Sequence, residues 1–225
     1  MDISVVMSVF NSEKTINQSV ESILSQTYTK FKFLIVDDCS TDTTFEILKF
    51  YEKKDKRITV FKNSNNIGLT KSLNFLLSKV NSQLIARQDG DDISLNNRLS
   101  TQIKFLNSNM LDACTTRAVI KDSNKIVPNI SYYISPKLLI NIKNPFIHGT
   151  LLIKTKVIKE IGGYNEKFVY AQDYKLMKDL IENKFKVRIM KQPLYQLNMH
   201  NNISTLFKDE QKYYANCVKN NIIPY

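Results

Sequence analysis

The stretch Ile85-Ala86-Arg87-Gln88-Asp89-Gly90-Asp91-Asp92-Ile93-Ser94 places three carboxylates within four residues, with a glycine between the first two. Like charges this close repel one another unless a cation sits among them. Hard divalent cations such as Mg²⁺ and Mn²⁺ take oxygen ligands and often bridge a few carboxylates to substrate phosphates. The residues alone leave two readings open, a metal–diphosphate site and a solvated acidic loop. Two other acidic patterns are excluded. An EF-hand wants glycine at the sixth loop position, which counted from Asp89 is Ser94. Aspartate-based phosphatases carry their Asp-x-Asp after the first strand, not in mid-chain.

A second acidic pair, Asp37-Asp38, follows the apolar run Phe33-Leu34-Ile35-Val36. Capping of the next helix is one use for such a pair, but Ser40 and Asp42 already serve it, which favours a ligand role for Asp37 or Asp38. A receiver-type phosphoaspartate pocket would need a chain about half this length.

The elements that must position these groups alternate over the first hundred residues. Ile3 to Val9 reads as a buried parallel strand, and Asn11-Ser12 as the N-cap of a helix carrying Ile16, Val20, Ile23 and Leu24. Phe33–Val36 is a second strand, and Phe45, Leu48 and Tyr51 mark a second helix. Ile58–Phe61 is a third strand, and Leu69, Leu73, Leu76 and Leu77 mark a third helix. Leu84-Ile85-Ala86 is the strand that delivers Asp89. This alternation predicts a doubly wound, mostly parallel sheet, with both acidic groups at strand ends where ligands bind. Later, Ala113–Ile120, Lys125–Val127, Leu151–Ile153 and Lys186–Met190 read as strands. Helices are expected after Ser135-Pro136, up to Ile161, from Gln172-Asp173, and from Leu206 to Asn220.

The 225 residues suffice for one sizeable domain, and 43% apolar with 24% charged residues is the balance of a soluble globular chain. No apolar run approaches the ~18 residues of a membrane span. Cys39, Cys114 and Cys217 are odd in number and far apart, which suggests free thiols in a reducing compartment. The net charge of +11 fits anionic partners or a Lys- and Asn-rich composition of the kind an AT-rich genome produces. Its basic residues are scattered, with a modest cluster at Lys53-Lys54-Asp55-Lys56-Arg57 and no nucleic-acid-binding motif.

Taken together, Val5–Asn11, Ser22–Thr27, Val36–Asp42, Asn66-Ile67-Gly68-Leu69 with Asn74, Ala86–Ser94, Arg98 with Gln102, Gly162-Gly163-Tyr164, Gln172-Asp173-Tyr174, and Pro193-Leu194-Tyr195 with His200 resemble a family 2 glycosyltransferase of the GT-A fold. These segments cover nearly the whole chain, and their order is far more specific than any one of them.

The resemblance implies a single α/β domain over 1–225 with a Rossmann-like, mostly parallel central sheet flanked by helices. Residues 1–110 would be the nucleotide-sugar half. Residues 111–225 would be a small mixed acceptor and catalytic-base half ending in a C-terminal helix. It implies an inverting, metal-dependent sugar transferase using Mn²⁺ or Mg²⁺ and a nucleotide-sugar donor, UDP-linked first. The acceptor would be a hydroxyl of a glycan or lipid-linked glycan, in surface polysaccharide or glycoconjugate synthesis. The enzyme would be cytoplasmic, with peripheral contact on the membrane face. By position, Asp38 would contact the base, flanked by Phe10, Asn11 and Asp37, with Asn66 and Gly68 on the donor side. Asp89-Gly90-Asp91 would be the DxD element, Asp91 the metal ligand and Asp89 near ribose and metal. Asp92 is adjacent, and Arg87 and Arg98 would support the loop. Asp173 would be the catalytic base, His200 would lie near the diphosphate as a further metal ligand, and His148 near the acceptor or nucleotide pocket. The chain departs from the pattern at Ser8 in place of Pro, Gln172 in place of Glu, and Leu197-Asn198 in place of Tyr-Arg. Two alternatives are a nucleotidyltransferase of similar fold, whose Gly-rich loop after the first strand is replaced here by Phe10-Asn11-Ser12-Glu13, and a non-catalytic nucleotide- or glycan-binding relative.

Overall fold

A computed structural model describes residues 2–199 and 207–225. The chain runs β1 (Ile3–Val9), α1 (Ile16–Leu24), β2 (Phe31–Asp37), α2 (Thr44–Lys54), β3 (Ile58–Lys62), α3 (Leu69–Lys79) and β4 (Leu84–Arg87). It continues through β5 (Ile93–Ser94), α4 (Arg98–Ser108), β6 (Ala113–Ile120), β7 (Ile126–Val127), α5 (Pro136–Leu139), β8 (Leu152–Lys154), α6 (Thr155–Glu160), α7 (Gln172–Glu182), β9 (Val187–Leu197) and α8 (Lys208–Lys219). One sheet holds these strands in the order β3-β2-β1-β4-β8-β6-β9-β5, with β7 on the side of β6. The long pairings, β1 with β2, β2 with β3, β1 with β4 and β6 with β9, are parallel, and the antiparallel ones span two or three residues each. This is the mostly parallel, helix-flanked α/β sheet that the alternation predicts.

Strand periodicity divides the core into two layers, because successive side chains point to opposite faces. Val5, Met7, Val9, Phe33, Ile35 and Ala86 pack with Ile16 and Val20 of α1, Leu48 of α2 and Leu99 of α4. Val6, Leu34, Val36, Ile85 and Ile153 pack with Leu73 and Leu76 of α3, Val157 of α6, Leu176 and Leu180 of α7 and Val218 of α8. Strands buried on both faces read as the continuous apolar runs seen in the sequence.

The chain builds outward from β1 through β2 to β3, then returns to the other side of β1 as β4. Sheet order therefore reverses between β1 and β4, and a crevice opens there at the strand carboxyl ends. Val9, Asp37 and Arg87 end the three strands that border it.

Two local expectations need correction. Asn11-Ser12 does not cap α1. Asn11 is left-handed (φ 48), and the Ser12 carbonyl accepts from Thr15 and Ile16 at 3.0 and 2.9 Å. The chain turns there before the helix starts. The last strand does not stop at Met190 but runs to Leu197. Pro193 is accommodated where the register with β6 shifts, opposite Arg117, which is the kind of place a strand tolerates a residue without an N–H.

Candidate active site

The turn after β4 is built around Gln88, a fully buried side chain. Its amide donates to Ser19 Oγ at 3.0 Å and to the carbonyls of Asp89 and Asp92 at 3.1 and 2.9 Å, and its oxygen accepts from Ser94 Oγ at 2.7 Å. One amide thus closes the loop on itself and ties it to α1. Gly90 lies against β1, where a Cβ would stand 2.6 Å from Val9 Cγ1.

Behind the carboxylates lie two buried arginines. Arg87 pairs with Asp89 and donates to the carbonyls of Val6 and Gln88 at 3.2 and 2.7 Å. Its Nε also reaches His148 Nε2 at 3.4 Å, a nitrogen that lies 2.7 Å from the Tyr164 hydroxyl. Burial first, and the Arg87 guanidinium second, push His148 down to about 3. It is a neutral prop for Arg87, not a proton donor at neutral pH. Arg98 donates to the Arg87 carbonyl at 3.0 Å and lies over the Tyr195 ring. The Tyr195 hydroxyl in turn receives the Asp89 N–H at 3.1 Å.

Asp91 forms no ion pair among the described residues. Burial first and the Asp89 charge second raise it to about 6. The same two causes, with Asp91 added, hold Asp92 well above the carboxylate range, although its Oδ1 accepts the Asn198 N–H at 2.8 Å. Among the described residues no three His, Cys, Asp or Glu side chains form a closed metal cage. The oxygen-only, charge-crowded set does fit Mg²⁺ or Mn²⁺, which are held by one or two carboxylates and completed by phosphate and water oxygens.

Asp38 occupies the next strand end. Its Oδ1 accepts from Asn63 Nδ2 and the Ile67 N–H at 2.7 and 3.0 Å, and its Oδ2 from the Gly68 N–H at 2.8 Å. One carboxylate therefore shapes the turn into α3, where Gly68 adopts φ +85. Asp37 is fully buried, with Oδ2 accepting the Ser40 N–H at 3.1 Å and Oδ1 unpartnered among the described residues. Asn11 accepts the Thr41 N–H at 2.9 Å and donates its own N–H to Ser40 Oγ at 2.9 Å, joining the ends of β1 and β2. Phe10 beside it is 46% exposed, and Asn66 is exposed.

Asp173 enters from the far half of the chain. It stands in the first turn of α7, which left-handed Ala171 introduces (φ 51). Asn144 Nδ2 donates to Asp173 Oδ2 at 2.8 Å, while Asn144 Oδ1 is fixed by the Phe146 N–H at 3.1 Å. Burial leads in raising the Asp173 carboxyl, and the Asp89 charge adds to it. Burial likewise leads in raising the Tyr164 phenol, with contributions from Asp89 and Asp173. Asp89, Tyr164 and Asp173 therefore share one electrostatic neighbourhood. Asn144 and Asp173 line a cleft of about 350 Å³.

The structure thus brings Arg87, Asp89, Arg98 and His148 into contact in and behind the turn that carries Gly90, Asp91 and Asp92, with Phe10, Asn11, Asp37, Asp38, Asn66 and Gly68 in the turns after the neighbouring strands. Asp173 joins them through Asn144 of the segment that carries His148. His200 lies outside the described residues. Sequence reasoning left Gln88, Tyr195, Tyr164, Asn144 and Gly149 out of the site. Gly149 offered a signal, as one of five glycines and next to His148. A Cβ there would lie 2.4 Å from the Tyr195 hydroxyl and 2.5 Å from Asp89 Oδ2. Gly149→Ala is expected to displace Asp89 and destabilise the fold by about 1–3 kcal/mol, the range for overpacking. Thermal unfolding tests this, and a variant melting with the parent would show that the neighbours give way freely.

Comparison with known proteins agrees with the fold. The family model Glycosyl transferase family 2 matches residues 4–162. The O-antigen biosynthesis glycosyltransferase WbnJ of Escherichia coli is 34% identical over 184 residues, 77% of this chain and 69% of that protein. The crystal structure of S. aureus TarS 1-349 in complex with UDP superposes with a TM-score of 0.77 at 22% identity, over 95% of this chain and 64% of that one. The mannosyltransferase PcManGT from Pyrobaculum calidifontis, in complex with GDP-Man and Mn²⁺, also gives a TM-score of 0.77, at 17% identity over 94% of this chain and 61% of that one. The chain thus spans less than two thirds of either solved chain.

Proposed function

The chain belongs to glycosyl transferase family 2, and from that premise we propose that it is an inverting, metal-dependent glycosyltransferase. It moves a sugar from a nucleotide-diphosphate donor, UDP-linked first, to a hydroxyl of a glycan or lipid-linked glycan. Its place is surface polysaccharide or glycoconjugate synthesis. The observation that carries the reading is the joining of two acidic elements by one chain segment. Asp89–Asp92 follow β4 at the β1/β4 switch point, and the 144–149 segment links them to Asp173: Asn144 bonds Asp173 at 2.8 Å, while His148 lies 3.4 Å from Arg87 and Gly149 lies against Asp89. The UDP in TarS and the O-antigen role in the name of WbnJ support the donor and pathway class.

In this reading Asp37, Asp38, Asn11, Phe10, Asn66 and Gly68 form the nucleotide side. Arg87, backed by His148 and Arg98, holds Asp89 in place. Asp91, with Asp89, would hold Mn²⁺ or Mg²⁺; the Mn²⁺ in PcManGT supports this choice. The bound cation would offset charge developing on the leaving diphosphate. Inverting transfer is a single in-line displacement at the anomeric carbon. The acceptor oxygen forms the new bond, the bond to the diphosphate oxygen breaks, and the acceptor proton passes to Asp173 on the opposite face. Asn144 keeps the carboxylate oriented for that transfer. The enzyme would act at the cytoplasmic face of the membrane as a peripheral protein; no helix among the described residues is long and apolar enough to cross one.

A screen of nucleotide sugars for release of the free nucleotide tests the class, and absence of turnover with every donor, Mn²⁺ and Mg²⁺ present, would overturn it. Asp38→Ala should raise KM for the donor far more than it lowers kcat. The Asp38 contacts that shape the 63–68 turn are present in ground and transition states alike, so their loss removes uniform binding. Initial-rate kinetics decide, and a large fall in kcat at unchanged KM would contradict this role.

A further inference from the structure

Asp173 shares its cleft with an unusual set of neighbours: Lys143, Asn144, Ala171, Tyr174 and one face of α8. The α8 residues at the cleft are Lys208, Gln211, Lys212, Ala215 and Lys219. Their spacing of three, four, seven and eleven residues from Lys208 is that of a single helical face. Cys217 and Val218 of α8 are committed to the core, and Tyr214 meets Phe168 and Tyr170 edge-on. The acids of α8, Asp209 and Glu210, are absent from the cleft lining. Among the described residues none of the four lysine ammonium groups pairs with a carboxylate.

Lysines on a protein surface are ordinary. Four from two separate chain segments converging on one concave site, with Asp173 its one carboxylate among the described residues, are a complementary surface for an anion. A cleft of about 350 Å³ falls within the range of small-ligand sites, roughly 300–1,000 Å³. The donor diphosphate has its own acidic site at Asp89–Asp92, so a second anion here belongs to the other substrate. We propose that this lysine-lined cleft seats a phosphate-class anionic group of the acceptor and so brings the acceptor hydroxyl to Asp173. The proposal rests on the reading of Asp173 as the base. Two sources share the chemistry, the diphosphate of a lipid-linked acceptor and the phosphate of a soluble phosphorylated glycan.

The test is calorimetric titration with inorganic pyrophosphate at low ionic strength in EDTA, where the metal-free carboxylates at Asp89–Asp92 repel it. The parent should bind, more weakly as salt rises. Lys212→Glu/Lys219→Glu should bind at least tenfold more weakly, and so should the milder Lys208→Gln/Lys212→Gln/Lys219→Gln if charge reversal disturbs folding. Asp173→Asn should bind at least as tightly as the parent, since a negative charge has left the cleft. A parent that does not bind pyrophosphate, or lysine variants that bind it unchanged, overturns the proposal. If instead Asp173→Asn keeps transfer activity while the lysine variants lose pyrophosphate, the base assignment fails and the anion site stands. Phosphatidylcholine vesicles with and without farnesyl diphosphate, compared with a soluble poly(glycerol phosphate), identify the source. Tenfold tighter binding to the loaded vesicles assigns the lipid-linked acceptor, and preference for the polymer assigns the phosphorylated glycan.

Discussion

Asp91→Ala is expected to abolish the stabilisation that Mn²⁺ or Mg²⁺ with UDP gives the parent protein. A ligand that binds only the folded state at one hundred times its dissociation constant adds about 2.7 kcal/mol, a shift of several degrees in melting temperature. Asp89 pairs with Arg87, whereas among the described residues neither Asp91 nor Asp92 pairs with an arginine or lysine, and Asp92 accepts the Asn198 N–H instead. Without metal the sign reverses. The folded-state value of Asp91, about 6, lies above the ordinary carboxylate value. Between the two the folded protein holds more protons than the unfolded chain, so metal-free stability falls as pH rises through that window. Alanine removes the Asp91 part of this fall, so above pH 6 the metal-free variant should melt higher than the metal-free parent. With metal and UDP the order should invert, because only the parent gains. Differential scanning calorimetry at two pH values, with EDTA and then with excess Mn²⁺ and UDP, separates the cases. A variant that gains as much from Mn²⁺ and UDP as the parent would remove Asp91 from the metal site.

What could be read from the sequence follows from where the determinants lie. The carboxylates of Asp89, Asp91 and Asp92 are neighbours in the chain, and strand–helix alternation alone puts them at a strand end. Asp37 and Asp38 became legible in the same way. The partners that make these groups a site are remote: the Tyr195 hydroxyl reaches Asp89 across 106 positions, and His148 reaches Arg87 across 61. No local spacing announces such contacts, since they depend on how β9 and the 146–151 segment cross the sheet. Gln88 carries no local signal, since an amide between charged residues is ordinary in a loop, yet its side chain ties together two carbonyls and two hydroxyls. The α1 boundary was missed for a related reason. Asn and Ser favour helix caps and turns through the same side-chain chemistry, and only the left-handed φ of Asn11 distinguishes the turn.

Asp173→Asn is expected to lower kcat for sugar transfer by ~10²–10⁴-fold with donor binding kept, the loss typical of a removed general base. The attacking hydroxyl must give up its proton as the new bond forms, and a neutral amide cannot take it. Burial, first, and the Asp89 charge hold the Asp173 carboxyl above the ordinary carboxylate value, which makes it a stronger base once ionised. Only the ionised form accepts a proton, so the parent's kcat should rise with pH on an acidic limb placed above the ordinary carboxylate range, and the limb should vanish in the variant. A capping role would behave otherwise. Asp173 lies in the first turn of α7, where a carboxylate favours the helix dipole, and loss of a cap costs about 0.5–2 kcal/mol of stability with little effect on rate. Asparagine retains size and much of that capping ability, so the substitution separates the two roles. Asn144 offers an independent check, since Asn144→Ala removes the hydrogen bond that orients the carboxylate while leaving Asp173 in place. Its kcat should fall less than that of Asp173→Asn, and its acidic limb should survive at higher pH, because a donor to the ionised form has been lost. Transfer by Asp173→Asn within a few-fold of the parent would show that the proton leaves by another route.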